Sequence, residues 1–266
     1  MASAAGSAIV PIFPLPDVTF FPRTLLPLHV FEARYRAMVM DTLARDRRLC
    51  VVKLQPGYEA TYAGRPAVHP VCGMGEIVSW ERLANGRYNI LVRGDARVRI
   101  EHELPGDMLY RLVSVRRLED VGPAGDVNPA LARIRGAART LLDALGRPAD
   151  LLDTALAEGQ PSGTVADRVA AAVLPDAALR QALLETLDVD ARVARVADAI
   201  ELLVRELKGG RSLGAAPPAW RWRCCSRAAR PRRVRGPGSA CASAICPSRR
   251  WTSSRPSTAS ARASAW

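Results

Sequence analysis

Apolar positions in the first 120 residues come in short runs bounded by proline, glycine and asparagine, whereas after residue 125 they recur at spacings of three and four. The first pattern predicts strands and the second predicts helices. Ile9-Val10-Pro11-Ile12-Phe13-Pro14-Leu15 reads as a strand whose prolines place it at an edge or a bulge. Phe20-Phe21-Pro22 reads as a loop before Leu25-Leu26-Pro27-Leu28. Phe31, Tyr35, Met38 and Thr42 share one face of a helix predicted over 31–46. Residues 49–54 form a short buried strand. A turn at Gln55-Pro56-Gly57-Tyr58 and a polar loop to Pro70 lead to four strand candidates, at 73–82, 87–93, 96–104 and 110–118. Asn85-Gly86 between the first two predicts a type I′ hairpin turn, with positive φ at both residues.

The pattern changes at Val121-Gly122-Pro123-Ala124-Gly125, which reads as a linker. Asn128-Pro129 then opens a helix, Asn128 as N-cap and Pro129 at the first helical position. Leu131, Ile134, Ala138, Leu141 and Leu145 form its apolar seam, and Gly146 ends it. Shorter helices are expected over 149–158, 165–174 and 177–187. In the last helix Val189, Val193, Val196, Ile200, Leu203 and Leu207 step by four and three, a seam suited to packing within a bundle.

The net charge of +12 suggests a polyanionic partner, but its distribution alters that reading. Residues 1–208 hold 26 basic and 26 acidic side chains, and residues 209–266 hold the other 12 arginines and no acid. Those last residues lack periodicity and lack Lys, Asn, Gln, Phe, Tyr and Met. They read as a frame-shifted product of a GC-rich gene or as a disordered basic arm, and neither packs. Cys224, Cys225, Cys241 and Cys246 lie there without zinc-ligand spacing. Cys50 and Cys72 sit in predicted strands and are read as buried, reduced thiols. Met1 to Ala8 lacks the basic and apolar regions of a signal peptide. No apolar run is long enough to span a bilayer, so the expected compartment is the cytoplasm.

Catalytic signatures are missing. The chain contains no phosphate-binding Gly-x-x-x-x-Gly-Lys-Ser/Thr loop, no Gly-x-Gly-x-x-Gly after a strand, no Gly-x-Ser-x-Gly and no His-Glu-x-x-His. His29, His69 and His102 are scattered, and no metal or cofactor is expected. Glu101-His102-Glu103 resembles an acid–base cluster, but strand neighbours point to opposite faces. Asp17, Glu32 and Arg34 gather at the entry to the first helix and are read as a structural pairing.

The order of these segments resembles the N-terminal, substrate-binding domain of the Lon protease family. The resemblance is carried by residues 9–15, then Phe21-Pro22 and Leu26-Pro27-Leu28-His29-Val30-Phe31-Glu32-Ala33-Arg34-Tyr35-Arg36. It continues through Val71-Cys72-Gly73-Met74-Gly75-Glu76-Ile77, Gly86-Arg87-Tyr88-Asn89-Ile90-Leu91-Val92-Arg93-Gly94 and Leu183-Leu184-Glu185-Thr186-Leu187-Asp188-Val189. Glu76, where the family often has a basic residue, and the aromatic Trp80 depart from its pattern. The resemblance implies an α+β fold. A PUA-like β-barrel domain would occupy residues 8–121 and an α-helical bundle 126–208, followed by the disordered tail.

Full Lon enzymes continue into ATPase and Ser–Lys protease modules whose motifs are not found here. The expected function is therefore non-catalytic binding of unfolded or tagged polypeptides, as an adaptor in protein quality control beside a protease or chaperone. Phe20, Phe21, Tyr58, Tyr62 and Trp80 are the candidate peptide contacts, because loop and strand aromatics can anchor an extended chain. The alternative is a nucleic-acid-binding PUA-like protein. The balanced charge of residues 1–208 confines that role to the tail. Oligomeric state is left open.

Overall fold

The computed structural model describes residues 7–209 apart from 63, 145, 147–155 and 158. The chain begins with β1 (Ala8–Leu15), β2 (Leu25–Val30), α1 (Ala33–Leu43) and β3 (Arg48–Lys53). A 3-10 turn at Tyr58–Thr61 precedes β4 (Val71–Arg82), β5 (Tyr88–Leu104) and β6 (Leu112–Leu118). The helices that follow are α2 (Asn128–Ala144), α3 (Ser162–Val173), α4 (Ala177–Glu185) and α5 (Val189–Lys208). Leu145, most of the helix expected over 149–158 and the tail beyond Gly209 lie outside the described residues.

The fold is α+β, a mixed six-stranded sheet with helices. Strand order is β2-β5-β4-β3-β1-β6, and β5 also pairs with β6, so the pairing order returns to β5. β1 and β3 run parallel, and the other pairs run antiparallel. β3 shows why the sequence is apolar from Leu49 to Val52. Leu49 and Val51 pack with Met38 and Val39 of α1. Cys50 and Val52 face a second cluster with Val10, Ile12, Met74, Val98, Val113 and Val115. A strand buried on both faces needs no polar alternation.

β1 lies between β3 and β6 and so is not at an edge, one of the two placements expected from its prolines. Ala8 to Pro11 pair with β6, and Ile12 to Leu15 pair with β3. The ladder changes sides between Pro11 and Ile12, so each half is bonded mainly on one flank and tolerates a residue without an N–H.

The two strands expected at 87–93 and 96–104 are one strand, β5. Gly94 reads as a break, yet it marks a register shift opposite Met74 and Gly75. The backbone of the Phe20-Phe21 loop crosses the sheet at this point. A Cβ on Gly94 would stand 2.2 Å from the Phe21 carbonyl oxygen, and one on Gly73 would stand 2.0 Å from that of Phe20. These glycines are required by backbone approach.

The hairpin turn also differs from expectation. Gly86 has φ +75°, but Asn85 is not among the residues with positive φ. Gly86 N–H donates to Leu83 O and Leu83 N–H to Arg87 O, which makes a three-residue loop closed by a left-handed glycine. Helix α1 is shorter than predicted. Tyr35, Met38, Val39 and Thr42 form its buried face, whereas Phe31 precedes the helix and is 59% exposed.

The helices share one core. Leu131, Ile134, Ala138 and Leu141 of α2 share a cluster with Val193, Val196 and Ile200 of α5 and with Val165 and Val169 of α3. Asn128 is the first helical residue of α2 and not its cap. The Leu131 N–H donates to Val127 O, and the Asn128 N–H donates to Asp126 Oδ1. Asp176 and Asp188 cap α4 and α5 by accepting backbone N–H bonds, each worth about 1 kcal/mol.

Sheet and helices belong to one compact unit. Arg97 of β5 pairs with Asp167 of α3 and donates to Leu184 O. Arg192 of α5 holds Asp120 at 2.6 Å. Gln181 of α4 donates to Val71 O at 2.9 Å. The segment read as a linker is hydrogen-bonded at both sides of Val121, which exchanges backbone bonds with Leu187 and Val189. Ala124 and Gly125 donate to Asp190 Oδ2.

Candidate functional site

The five candidate aromatics fall in three places. Phe20 and Phe21 are buried at 2% and 0% exposure, so their rings are core and offer no surface in this conformation. A loop aromatic and a core aromatic look alike in sequence, and what decides between them here is the glycine track beneath the loop. Trp80 of β4 is 43% exposed, with the Arg47 guanidinium 4.8 Å from its ring centroid. Such a cation–π contact contributes roughly 0.5–1 kcal/mol at the surface.

Tyr58 and Tyr62 come together, with ring centroids 6.2 Å apart. The Tyr62 hydroxyl donates to Glu32 Oε1 at 3.0 Å. Arg34 joins them. Its guanidinium lies 5.2 Å from the Tyr62 centroid and 4.6 Å from that of Tyr35, and it pairs with Glu32 at 2.8 Å. Glu32 and Arg34 thus form the pairing expected from the sequence, whereas Asp17, read with them, offers its backbone carbonyl to Arg180. Arg34 also lines a cleft.

That cleft encloses about 240 Å³ between β1, α1, the loop at 64–66 and the approach to β6. Arg34, Tyr35, Arg65 and Arg111 supply its polar lining, and Met108 and Leu109 supply apolar rim. Glu103 ties Arg111 at 3.0 Å and Arg65 at 3.1 Å. Arg111 also donates to Pro66 O, which fixes the 64–66 loop beside the strand. Met108 and Leu109 stand 44% and 68% exposed, and Phe31 is exposed just before Glu32.

Sequence reasoning missed Arg65, Arg111, Met108 and Leu109. They sit in loops or at a strand start, where no periodicity marks an exposed apolar residue as unusual. The only available signal was Met108-Leu109 following Pro105-Gly106-Asp107, an apolar pair directly after a turn.

Burial pushes the Tyr35 phenol up to about 12, against the pull of Arg34. Burial and a hydrogen bond to Asp41 push Tyr110 to about 12 as well. Both are therefore neutral donors at physiological pH.

The remaining polar candidates are dispersed. Glu101 pairs with Arg116 and Glu103 with Arg111, so that strand face is a set of ion pairs. Glu76 pairs with Arg93. Cys50 and Cys72 are buried and unbridged, and a hydrogen bond to Cys72 together with burial holds the Cys50 thiol well above its ordinary range. Among the described residues no group of three or more His, Cys, Asp and Glu could hold a metal ion. No described helix is long and apolar enough to cross a membrane.

The geometry can be set beside known proteins. A Lon protease from Anaeromyxobacter dehalogenans is 29% identical over 202 residues, covering 75% of this chain and 23% of that protein. Lon protease 2 from Myxococcus xanthus is 30% identical over 201 residues, covering 74% of this chain and 24% of that protein. The chain thus spans about a quarter of the length of these curated relatives.

The N-terminal domain of Mycobacterium avium complex Lon protease shares the fold with a TM-score of 0.59 at 18% identity, over 73% of this chain and 98% of that one. The Lon N-terminal domain protein from Xanthomonas campestris does so with a TM-score of 0.52 at 21% identity, over 71% and 96%. The model of the ATP-dependent protease La (LON) substrate-binding domain matches residues 9–202. The chain therefore belongs to the ATP-dependent protease La (LON) substrate-binding domain family.

Proposed function

We propose that this chain binds extended, unfolded or tagged polypeptides without catalysing a reaction on them, and that it does so at the cleft beside α1. The observation that carries this reading is the pair Met108 and Leu109. They are exposed to solvent at the rim of the cleft. Large apolar side chains held exposed beside a concavity mark interaction surfaces. Tyr58 and Tyr62 extend the same surface through Arg34, while Trp80 is a separate anchor on β4.

In this reading residues 8–121 form a PUA-like barrel domain and 126–208 a helical bundle. The strand order that returns to β5, with five strands lining one apolar cluster, supports the barrel. The role is recognition within protein quality control, with a protease or chaperone as partner. The two unbridged buried cysteines fit a reducing cytoplasm.

The test is calorimetric titration of the full chain with a reduced, alkylated and hence unfolded polypeptide, and with its folded parent. Binding to the unfolded form, weakened about ten-fold or more by Leu109→Glu as expected for an anchor side chain, supports the reading. Equal binding to both forms, or a Leu109→Glu variant that binds as well as the parent, contradicts it.

A further inference from the structure

We infer that the cleft at Arg34, Tyr35, Arg65 and Arg111 is a carboxylate pocket, which selects polypeptides presenting a carboxylate next to apolar residues seated on Met108 and Leu109. This rests on the polypeptide-binding reading above and adds the chemistry of the ligand.

Three observations carry it. The first is charge. Three guanidiniums line the cleft. Two carboxylates answer them, Glu32 on Arg34 and Glu103 shared by Arg65 and Arg111. One positive charge remains, which a single carboxylate neutralises.

The second is donor geometry. A guanidinium has five N–H groups in a planar fork suited to carboxylate oxygens. Arg111 spends three nitrogens on Glu103 and Pro66 O, one contact each. This leaves an N–H on each terminal nitrogen. Arg65 touches Glu103 through Nη1 and its side chain is 56% exposed.

The third is Tyr35. It is 5% exposed and lines the cleft, and its hydroxyl forms no hydrogen bond among the described residues. The side chain reaches the cleft, and the raised pKa of the phenol keeps it a donor there. The pocket thus offers a phenol O–H beside spare guanidinium N–H groups, with apolar rim residues at its mouth. An acidic side chain and a chain terminus supply the same group, and the test separates them.

The experiment is calorimetry with the full chain and four N-acetylated, Leu- and Ala-rich decapeptides. One ends in a free carboxylate. One is amidated with a single internal Glu, one is amidated with Gln in its place, and one is amidated with neither. A carboxylate-bearing peptide should bind about ten-fold or more tightly than its neutral counterpart, the range for a hydrogen bond to a charged group. Which peptide gains identifies terminus or side chain. Arg65→Gln and Tyr35→Phe should each reduce that advantage. Tyr35→Phe keeps the ring that packs on Phe13 at 4.4 Å, so it reports on the hydroxyl, and thermal melts confirm that both variants fold. Peptides that bind with no carboxylate preference, or a preference that survives in both variants, overturn the pocket and leave polypeptide binding standing. Failure of all four to bind, together with no binding of unfolded polypeptide, removes both.

Discussion

Arg97 of β5 and Asp167 of α3 form an ion pair with both side chains only 3% exposed, although 70 residues separate them in the chain. Arg192 approaches the same carboxylate to 3.2 Å, and Asp120 contacts both arginines. Burial pushes the Asp167 carboxyl up, opposed by the two guanidiniums. Removing one member of such a group leaves buried charge uncompensated and typically costs about 3–5 kcal/mol. Asp167→Ala is expected to destabilise the protein by that amount in urea unfolding. Replacing Arg97 with Met and Asp167 with Leu together should cost less than Asp167→Ala alone. A double variant that is less stable than the single one would show that the pair itself, and not the relief of isolated charge, holds the helices on the sheet.

The crossing of the Phe20-Phe21 loop over β4 and β5 makes a second prediction. A Cβ at Gly73 would overlap the Phe20 carbonyl at 2.0 Å, and backbone cannot rotate away as a side chain can. Gly73→Ala should lower stability by about 1–3 kcal/mol or more, the usual range for overpacking. Gly136→Ala is the control, since a Cβ there meets nothing within 4 Å and the site is helical. It should be neutral or stabilising. Equal melting temperatures for the two variants would contradict the close approach.

Much of this fold is legible in the sequence because its signals are periodic. The α5 seam from Val189 to Ile200 is buried as its spacing predicts, and residues 49–52 are as buried as their unbroken apolar run implies. What fails is local punctuation read without tertiary context. Gly94 looked like a strand end, but it is where another backbone passes. Pro11 and Pro14 looked like edge markers, but β1 changes partners between them. Asn85-Gly86 looked like a mirror-image turn, but the loop is one residue longer.

The candidate site was legible only in part. Tyr58 and Tyr62 are near in sequence and meet in space. Arg65, Arg111 and Tyr35 are brought together by the sheet, and nothing in their spacing marks them. Buried Arg97 carried no signal either, because an arginine in a strand reads as a solvent-facing residue until a helix covers it.

Alkaline titration gives a third prediction. Tyr35 and Tyr110 have folded-state pKa values near 12, above the ordinary value of 10.0. The folded protein therefore holds these two protons more tightly than the unfolded chain. Their contribution to stability is complete below pH 10 and is lost as pH rises from 10 through 12. Tyrosinate absorbance should show late-ionising groups whose number falls by one in Tyr110→Phe. Titration of all tyrosines near 10 in the folded protein would contradict the burial of these phenols.

A fourth prediction concerns residues 122–125. Asp190 accepts from the Ala124 and Gly125 N–H groups, and Val121 is bonded to the start of α5. Asp190→Ala frees the two N–H groups and should speed limited proteolysis within this segment several-fold while leaving the cores intact. An unchanged cleavage rate would show that the backbone bonds of Val121 alone restrain the segment.

The central claim, that a polypeptide occupies the cleft beside α1, is tested most directly by hydrogen–deuterium exchange of the full chain with and without a saturating unfolded polypeptide. The account predicts slowed exchange at residues 31–36, 62–66 and 107–111, with little change along α2 and α5. Protection confined to the helices, or binding with no protection at any of those three segments, would contradict it.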